Sequence, residues 1–314
     1  MAVHGPSPPG VEEDLWSLLA IDNNEGLDFF KAQTGIVKPE EIEDHIVAIQ
    51  KRAYEASLSF RNLHPPAELA AGPSVQLHPH FQLHEMCHLP AYREAVQTLI
   101  EREDGMFLDV GCFFGTDVRK LVSDGIAPEK IIVCDIVREF WDMGHELFKS
   151  TPSSFPIMFH QGDILDPAFL SAHQAKLTAI HISFVFHLFP EPTQRALAHR
   201  LASFLSPLPG SVIFGATIAK RPGAEAGADK FFRTSAERDQ FNSGGAAAAL
   251  ALKEVFCHIP ESWVRMWEDV FGGGRVKVDT RFTPTEDTHP AEMIPVGANG
   301  DDGVLEWSCT RHRI

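Results

Sequence analysis

From Met106 onward the sequence alternates short apolar runs with stretches of helical periodicity, and few folds accommodate that alternation. The runs are MFLDVG from Met106, IIVCDI at 131–136, PIMFHQGD at 156–163, TAIHISFVF at 178–186 and SVIFGAT at 211–217. Helices are predicted between them at 116–124, 138–149, 167–174 and 192–205. Apolar runs without polar alternation suit strands covered on both faces, as in a parallel sheet flanked by helices. The reading is therefore an α/β fold of βαβ units around a mostly parallel sheet, with helices on both faces. Two further runs, RVKVDTRF at 275–282 and VLEWSCTR at 304–311, have no helical stretch between them. They are expected to pair antiparallel at an edge, which makes the sheet seven-stranded.

Upstream the pattern is helical from Glu12 to Phe60, with Leu15, Leu18 and Leu19, then Phe29 and Phe30, then Ile42, Ile46, Ile49 and Tyr54. Pro39 followed by Glu40 and Glu41 suits a first helical turn. A loop rich in Pro, His and Gly fills 62–80, and a helix is expected from about Pro90 to Arg102. The organisation predicted is a disordered tail over 1–10, an N-terminal helical lid or substrate-binding segment over 11–104, and a core over 105–314 in one domain. Residues 242–252, NSGGAAAALAL, are nearly low-complexity and read as an Ala-rich helical turn or a mobile lid.

Charge excludes some partners. With 27 Lys and Arg against 43 Asp and Glu the net charge is −16, so a polyphosphate backbone would meet a repelling field and nucleic acid is not an expected partner. The five cysteines are scattered, without the CxxC spacing of a zinc or redox site, and read as reduced thiols. Neither a signal-like N-terminus nor an apolar stretch of the roughly 20 residues needed to cross a bilayer is found, so a cytoplasmic location is the default expectation and no membrane is expected as a partner.

The segment Asp109-Val110-Gly111-Cys112-Phe113-Phe114-Gly115 joins the first apolar run to the helix opening at Thr116. Gly111 permits a tight turn and Gly115 a close approach to a ligand at a helix N-terminus. The dinucleotide pattern GxGxxG is absent, because Phe113 stands where a second glycine would let a pyrophosphate lie on the backbone. Asp109 also disfavours a phosphate and suits a cationic ligand. The second run ends in Asp135, placed to accept from both ribose hydroxyls of a nucleoside. The third ends in Gly162-Asp163-Ile164, where the carboxylate can accept from an adenine amino group and the next N–H can meet a ring nitrogen. Cys112, Ile136, and Ser183 with Phe184 at the end of the fourth run complete the expected cofactor set. Cys112 and Cys134 read as packing residues, not nucleophiles.

FLDVGCFFGTDVRKLVSDG followed by VCDI resembles the class I methyltransferases, whose fold is Rossmann-like. More narrowly the chain is similar to the fungal carboxyl O-methyltransferases of meroterpenoid and terpenoid gene clusters, of the austinol-pathway type. The likeness includes FFKAQTGI, EEIEDHIVAIQKRAYEA, SFVFHLF, LSPLPGSVIFG and HIPESWVRMWEDV. It implies S-adenosyl-L-methionine as methyl donor, S-adenosyl-L-homocysteine as by-product, and a hydrophobic natural product as acceptor, often through a carboxylate. The Ala-rich stretch departs from the family's usual connection before PESW.

A carboxylate acceptor is ionised at neutral pH and needs no base, whereas a phenol, alcohol or nitrogen acceptor calls for one, ideally a histidine. His187, after the fourth strand, and His258, in CHIPESW, are the candidate catalytic residues, while His181 reads as a satisfied core residue. Candidate acceptor walls are Phe29, Phe30, Tyr54, Phe81, His84, Tyr92 and Trp263. The cluster His78, His80, His84 and His88 invites a metal reading that Pro79 and its loop context oppose, and no metal is expected. A non-catalytic protein binding the same cofactor is the reading from another class. Monomer and homodimer remain equally open.

Overall fold

The computed structural model describes residues 25–63, 86–232, 253–287, 296–297 and 301–312. Helices α1 (Glu25–Thr34), α2 (Pro39–Leu63) and α3 (Tyr92–Glu101) precede strand β1 (Met106–Val110). The alternation continues through α4 (Thr116–Ser123), β2 (Ile131–Asp135), α5 (Arg138–Leu147), β3 (Met158–Gln161) and β4 (Leu177–Ile182). Next come α6 (Glu191–Phe204), β5 (Val212–Lys220), β6 (Gly227–Phe232) and β7 (Lys253–Cys257). Helix α7 (Pro260–Phe271) leads into β8 (Val276–Pro284), β9 (Val296–Gly297) and β10 (Asp302–Arg311).

Seven strands form one sheet in the order β3-β2-β1-β4-β5-β10-β8. The first five are parallel, and β10 runs antiparallel between β5 and β8. Every residue of β4 and β5 is buried, which is why those runs show no polar alternation. The expected antiparallel pair exists, but β10 is an interior strand and only β8 forms the edge. Lys277, Asp279 and Arg281 are exposed on that edge strand, the charged edge that discourages pairing with another chain. The helix expected at 167–174 is absent. Only a 3-10 turn at Ser171–His173 forms, bracketed by Leu170 and Ala175 at φ 53° and 56°, left-handed residues that interrupt a right-handed helix.

Helices cover both faces. On one, Tyr92 and Leu99 of α3, Val118 of α4 and Trp141 of α5 meet Phe107, Val133 and Phe214. On the other, Leu197 and Leu201 of α6 and Trp263, Trp267 and Phe271 of α7 meet Leu108, Ile180 and Ile213. A third seam joins α1 and α2 to α5, where Phe30, Ile42, Ile46 and Ile49 pack on Phe140, Met143, Leu147 and Phe148. The spacing of the three isoleucines is the helical period read from the sequence. Full burial of each such side chain stabilises by about 1.5–3 kcal/mol, so the seam dominates the docking. His45 Nε2 adds a bond to Leu147 O at 3.0 Å, and Arg52 reaches Glu146 at 2.9 Å in an exposed pair that contributes little.

A second sheet, β7-β6-β9, is antiparallel and was not expected. Buried Gln194 fastens it beside the turn after β4, its Nε2 donating to Phe189 O and to Phe256 O, both at 2.9 Å. Among the described residues no helix is long and apolar enough to cross a membrane. The expected tail at 1–10, Phe81, His84 and the Ala-rich stretch lie outside the described residues.

Candidate active site

Strand order reverses between β1 and β4, and such a switch point opens a crevice at the carboxyl ends of the strands. The loop after β1 forms one wall. Gly111, Phe113 and Gly115 are all left-handed, at φ 74°, 50° and 69°. The turn thus takes a left-handed backbone at three alternate residues before α4 begins. Gly111 is exposed at the crevice, and a Cβ there would stand 3.1 Å from Val185 Cγ2 in the loop after β4. The two loops are close enough for a side chain at 111 to crowd the gap between them.

The tip of β2 holds this loop in place. The N–H groups of Gly111 and Cys112 both donate to Cys134 O, at 2.8 and 3.2 Å. Phe113 N–H donates to Asp135 Oδ2 at 3.1 Å, and Val137 N–H to Oδ1 at 2.9 Å. Asp135 is half-buried, and burial raises its carboxyl to about 6 against the pull of these backbone donors. Each oxygen keeps acceptor capacity beyond these bonds. At the end of β3, Gly162 N–H donates to Asp135 O at 3.1 Å, and exposed Asp163 caps Leu165 N–H at 2.8 Å. The second and third strand-end acids therefore stand at the same edge as the glycine loop.

Asp109 behaves differently from the expectation. It is 2% exposed, and its Oδ1 accepts from His181 Nδ1 at 2.7 Å. The β1–β4 register places Asp109 directly opposite His181, so the carboxylate points across the sheet, not into the crevice. It is closed to a cationic ligand in this arrangement. His181 Nε2 lies 2.8 Å from Ser183 Oγ, which also takes Ala216 N–H at 3.0 Å. His181 is the satisfied core residue that the sequence suggested, and its acidic partner was missed.

The remaining residues divide. Ile136, Ser183, Phe184 and His187 are half-buried at the carboxyl edge, with Phe184 held at φ 55° and its ring 6.3 Å from that of His187. Cys112 and Ile164 are buried, so only their backbones can face a ligand. His258 is 3% exposed, bonded through Nδ1 to Ser262 Oγ at 2.9 Å, and burial lowers its pKa to about 4. A ring that acidic when protonated is a poor base near neutrality, which removes His258 as a catalytic candidate.

The aromatic walls are also corrected. Phe30 is fully buried against Phe148, and half-buried Phe29 packs on the same ring. Tyr92 donates to Asp124 Oδ2 at 2.7 Å, at the far end of α4 from the crevice. Trp263 is fully buried among Trp267, Trp307 and Phe186. These rings are core, as most aromatics at helical spacing are. Tyr54 lies on α2, and its side chain falls outside the described residues. Among the described residues no group of His, Cys, Asp and Glu could hold a metal ion.

A family described as a methyltransferase domain matches residues 107–208, the stretch from β1 through the helix after β4. The chain is an S-adenosylmethionine-dependent methyltransferase, similar to the class I enzymes. The methyltransferase is 26% identical over 238 residues to methyltransferase ausD of Aspergillus calidoustus, covering 75% of this chain and 72% of that one. It is 24% identical to O-methyltransferase atr3 of Stereocaulon alpinum over 64% of this chain and 58% of the relative. Methyltransferase adrK of Penicillium roqueforti is 26% identical over 288 residues, 90% of each protein. Among solved structures, geranyl diphosphate C-methyltransferase from Streptomyces coelicolor aligns with a TM-score of 0.43 at 13% identity, over 69% of this chain and 78% of that one. S-adenosylmethionine is the cofactor. The edge fits it in kind: a nucleoside with a cationic tail calls for acceptors at the strand tips and an open glycine, and both are present.

Proposed function

We propose that the methyltransferase transfers a methyl group to an oxygen of a hydrophobic small molecule, forming the methyl ester of a carboxylate on a terpenoid, meroterpenoid or polyketide. The carrying observation is the carboxyl edge of the sheet at the β1/β4 switch point, where exposed Gly111, half-buried Phe184 and the strand-end acids Asp135 and Asp163 stand. In this reading Asp135 holds the ribose hydroxyls, Asp163 and the Ile164 N–H hold the adenine, and Ile136 packs beside the base. When bound, the cofactor supplies an electrophilic methyl on sulfonium sulfur.

The chain's own work is alignment and exclusion of water. Phe184 and Val185 form the apolar floor beyond the glycine loop, and His187 stands next to Phe184. The N-terminal helices, seated on α5 beside Phe113, serve as cover. A carboxylate acceptor arrives ionised and makes no demand on His258, whose depressed basicity leaves it unsuited to proton removal. The name O-methyltransferase carried by the Stereocaulon relative agrees with an oxygen acceptor. The test has two stages. Calorimetry with S-adenosylhomocysteine should show binding, and purified protein given S-adenosylmethionine and a naphthoic acid should release the methyl ester. Binding without ester formation from a panel of hydrophobic acids would overturn the carboxylate reading.

A further inference from the structure

We infer that Ser183, backed by His181 and Asp109, equips the same crevice for a second acceptor class, a hydrophobic molecule bearing an ionisable hydroxyl such as a phenol. The inference rests on the reading of the crevice given above and extends what it accepts. Asp109, His181 and Ser183 form an unbroken chain with contacts of 2.7 and 2.8 Å. Asp109 and His181 are 2% and 4% exposed, whereas Ser183 is half-buried at the carboxyl end of β4. One end of the chain is thus sealed in the sheet and the other lies half-buried at the carboxyl end of β4.

The bond inventory fixes where the protons sit. An ionised carboxylate only accepts, so His181 Nδ1 carries the hydrogen toward Asp109. In the neutral ring Nε2 is then an acceptor, and the Ser183 hydroxyl donates to it. Ala216 N–H fills one lone pair of Ser183 Oγ at 3.0 Å, and a hydroxyl oxygen has a second. An acceptor hydroxyl meeting that lone pair would find a proton route already aligned.

The step balances. As the acceptor oxygen forms its bond to the methyl carbon, the carbon–sulfur bond breaks and its electron pair stays on sulfur. The hydroxyl proton passes to Ser183 Oγ, and the proton already on Oγ moves to His181 Nε2. The resulting imidazolium lies 2.7 Å from Asp109 Oδ1. Around the pair stand Asp135, whose carboxylate adds to the same negative field, the thiols of Cys112 and Cys134, both pushed up by burial and so neutral, and the ring of Phe214 at 5.5 Å. None of these opposes a positive charge on His181. A core strut would be served by neutral partners, and a buried carboxylate is a costly choice for one.

The test compares a naphthol with the matching naphthoic acid as acceptors, with S-adenosylmethionine as donor and products separated by chromatography. The relay predicts ether from the naphthol as well as ester from the naphthoic acid. Ser183→Ala should lower the ratio of ether to ester at least about a hundredfold, the usual scale of a lost proton acceptor, and Ser183→Thr should restore part of it. Circular dichroism and thermal melting of each variant check that it is folded. Ester without ether in the wild type would overturn the relay and leave the carboxylate reading standing. An ether-to-ester ratio unmoved by Ser183→Ala would also overturn it, and formation of neither product would overturn both readings.

Discussion

The backbone N–H of Phe113 donates to Oδ2 of Asp135 across 3.1 Å, while Oδ1 of the same carboxylate takes Val137 N–H at 2.9 Å. One side chain at the tip of β2 therefore fixes the glycine loop and the start of α5 together. Hydrogen bonds to a charged group contribute about 1.5–3 kcal/mol each, enough to decide the loop's conformation. Asp135→Ala should weaken S-adenosylhomocysteine binding by roughly 10- to 100-fold in calorimetry, with Asp135→Asn intermediate because one acceptor oxygen remains. Unchanged affinity in the alanine variant would remove Asp135 from the cofactor site.

Phe113 occupies φ 50°, a region that disfavours a side chain by about 1–2 kcal/mol. Its ring compensates by packing 4.0 Å from the Phe114 ring and 4.5 Å from that of Phe140. Phe113→Ala loses the packing and keeps the strain, whereas Phe113→Gly loses the packing and relieves it. The glycine variant should therefore unfold at higher denaturant concentration than the alanine variant, by about 1 kcal/mol, the reverse of the order in a helix. Equal midpoints, or alanine ahead, would show that the backbone at 113 relaxes.

The sheet was legible because β4 and β5 are buried along their whole length, and an unbroken apolar run has few other places to go. The strand-end positions of Asp135 and Asp163 were legible because the runs IIVC and PIMF lead into them, although β3 itself is exposed to half-buried. Asp109 was misread for a reason that no local pattern contains. Its partner His181 lies 72 residues away and faces it only through the β1–β4 register. The aromatic walls failed because helical spacing marks a buried face without saying what covers it, and Phe30, Tyr92 and Trp263 all serve helix packing. Strands β6 and β7 went unseen since GADKFF carries no alternation and KEVFC is too short to weigh against the Ala-rich residues before it.

Gly144 is where α5 comes closest to the loop after β1. A Cβ there would lie 2.2 Å from Phe114 O, a backbone atom that cannot swing aside. Gly144→Ala must push the helix away from the loop, disturbing Phe114 and, through it, the residues facing the crevice. Overpacking of this kind costs about 1–3 kcal/mol. The variant should melt several degrees lower and bind S-adenosylhomocysteine less tightly, whereas Gly125→Ala, where the added carbon meets open space, tests only the cost of a left-handed backbone. Retention of full affinity in Gly144→Ala would mean that the loop tolerates displacement of α5.

Two groups shifted by burial titrate in opposite senses over one pH window. Asp135 is raised from 3.8 to about 6, so the folded protein binds that proton more tightly than the unfolded chain. Its contribution to stability is present below about pH 4 and lost as pH rises through about 6. His258 is lowered from 6.5 to about 4, so its contribution is present above pH 6.5 and lost as pH falls through about 4. Each shift corresponds to about 3 kcal/mol, and between pH 4 and 6.5 the two slopes oppose one another. Removing either exposes the other. His258→Leu should make the protein gain stability on acidification through this window, while Asp135→Asn should make it lose stability more steeply than wild type. Denaturant unfolding at a series of pH values reads both slopes. Parallel curves for wild type and the two variants would show that neither group is shifted in the folded state.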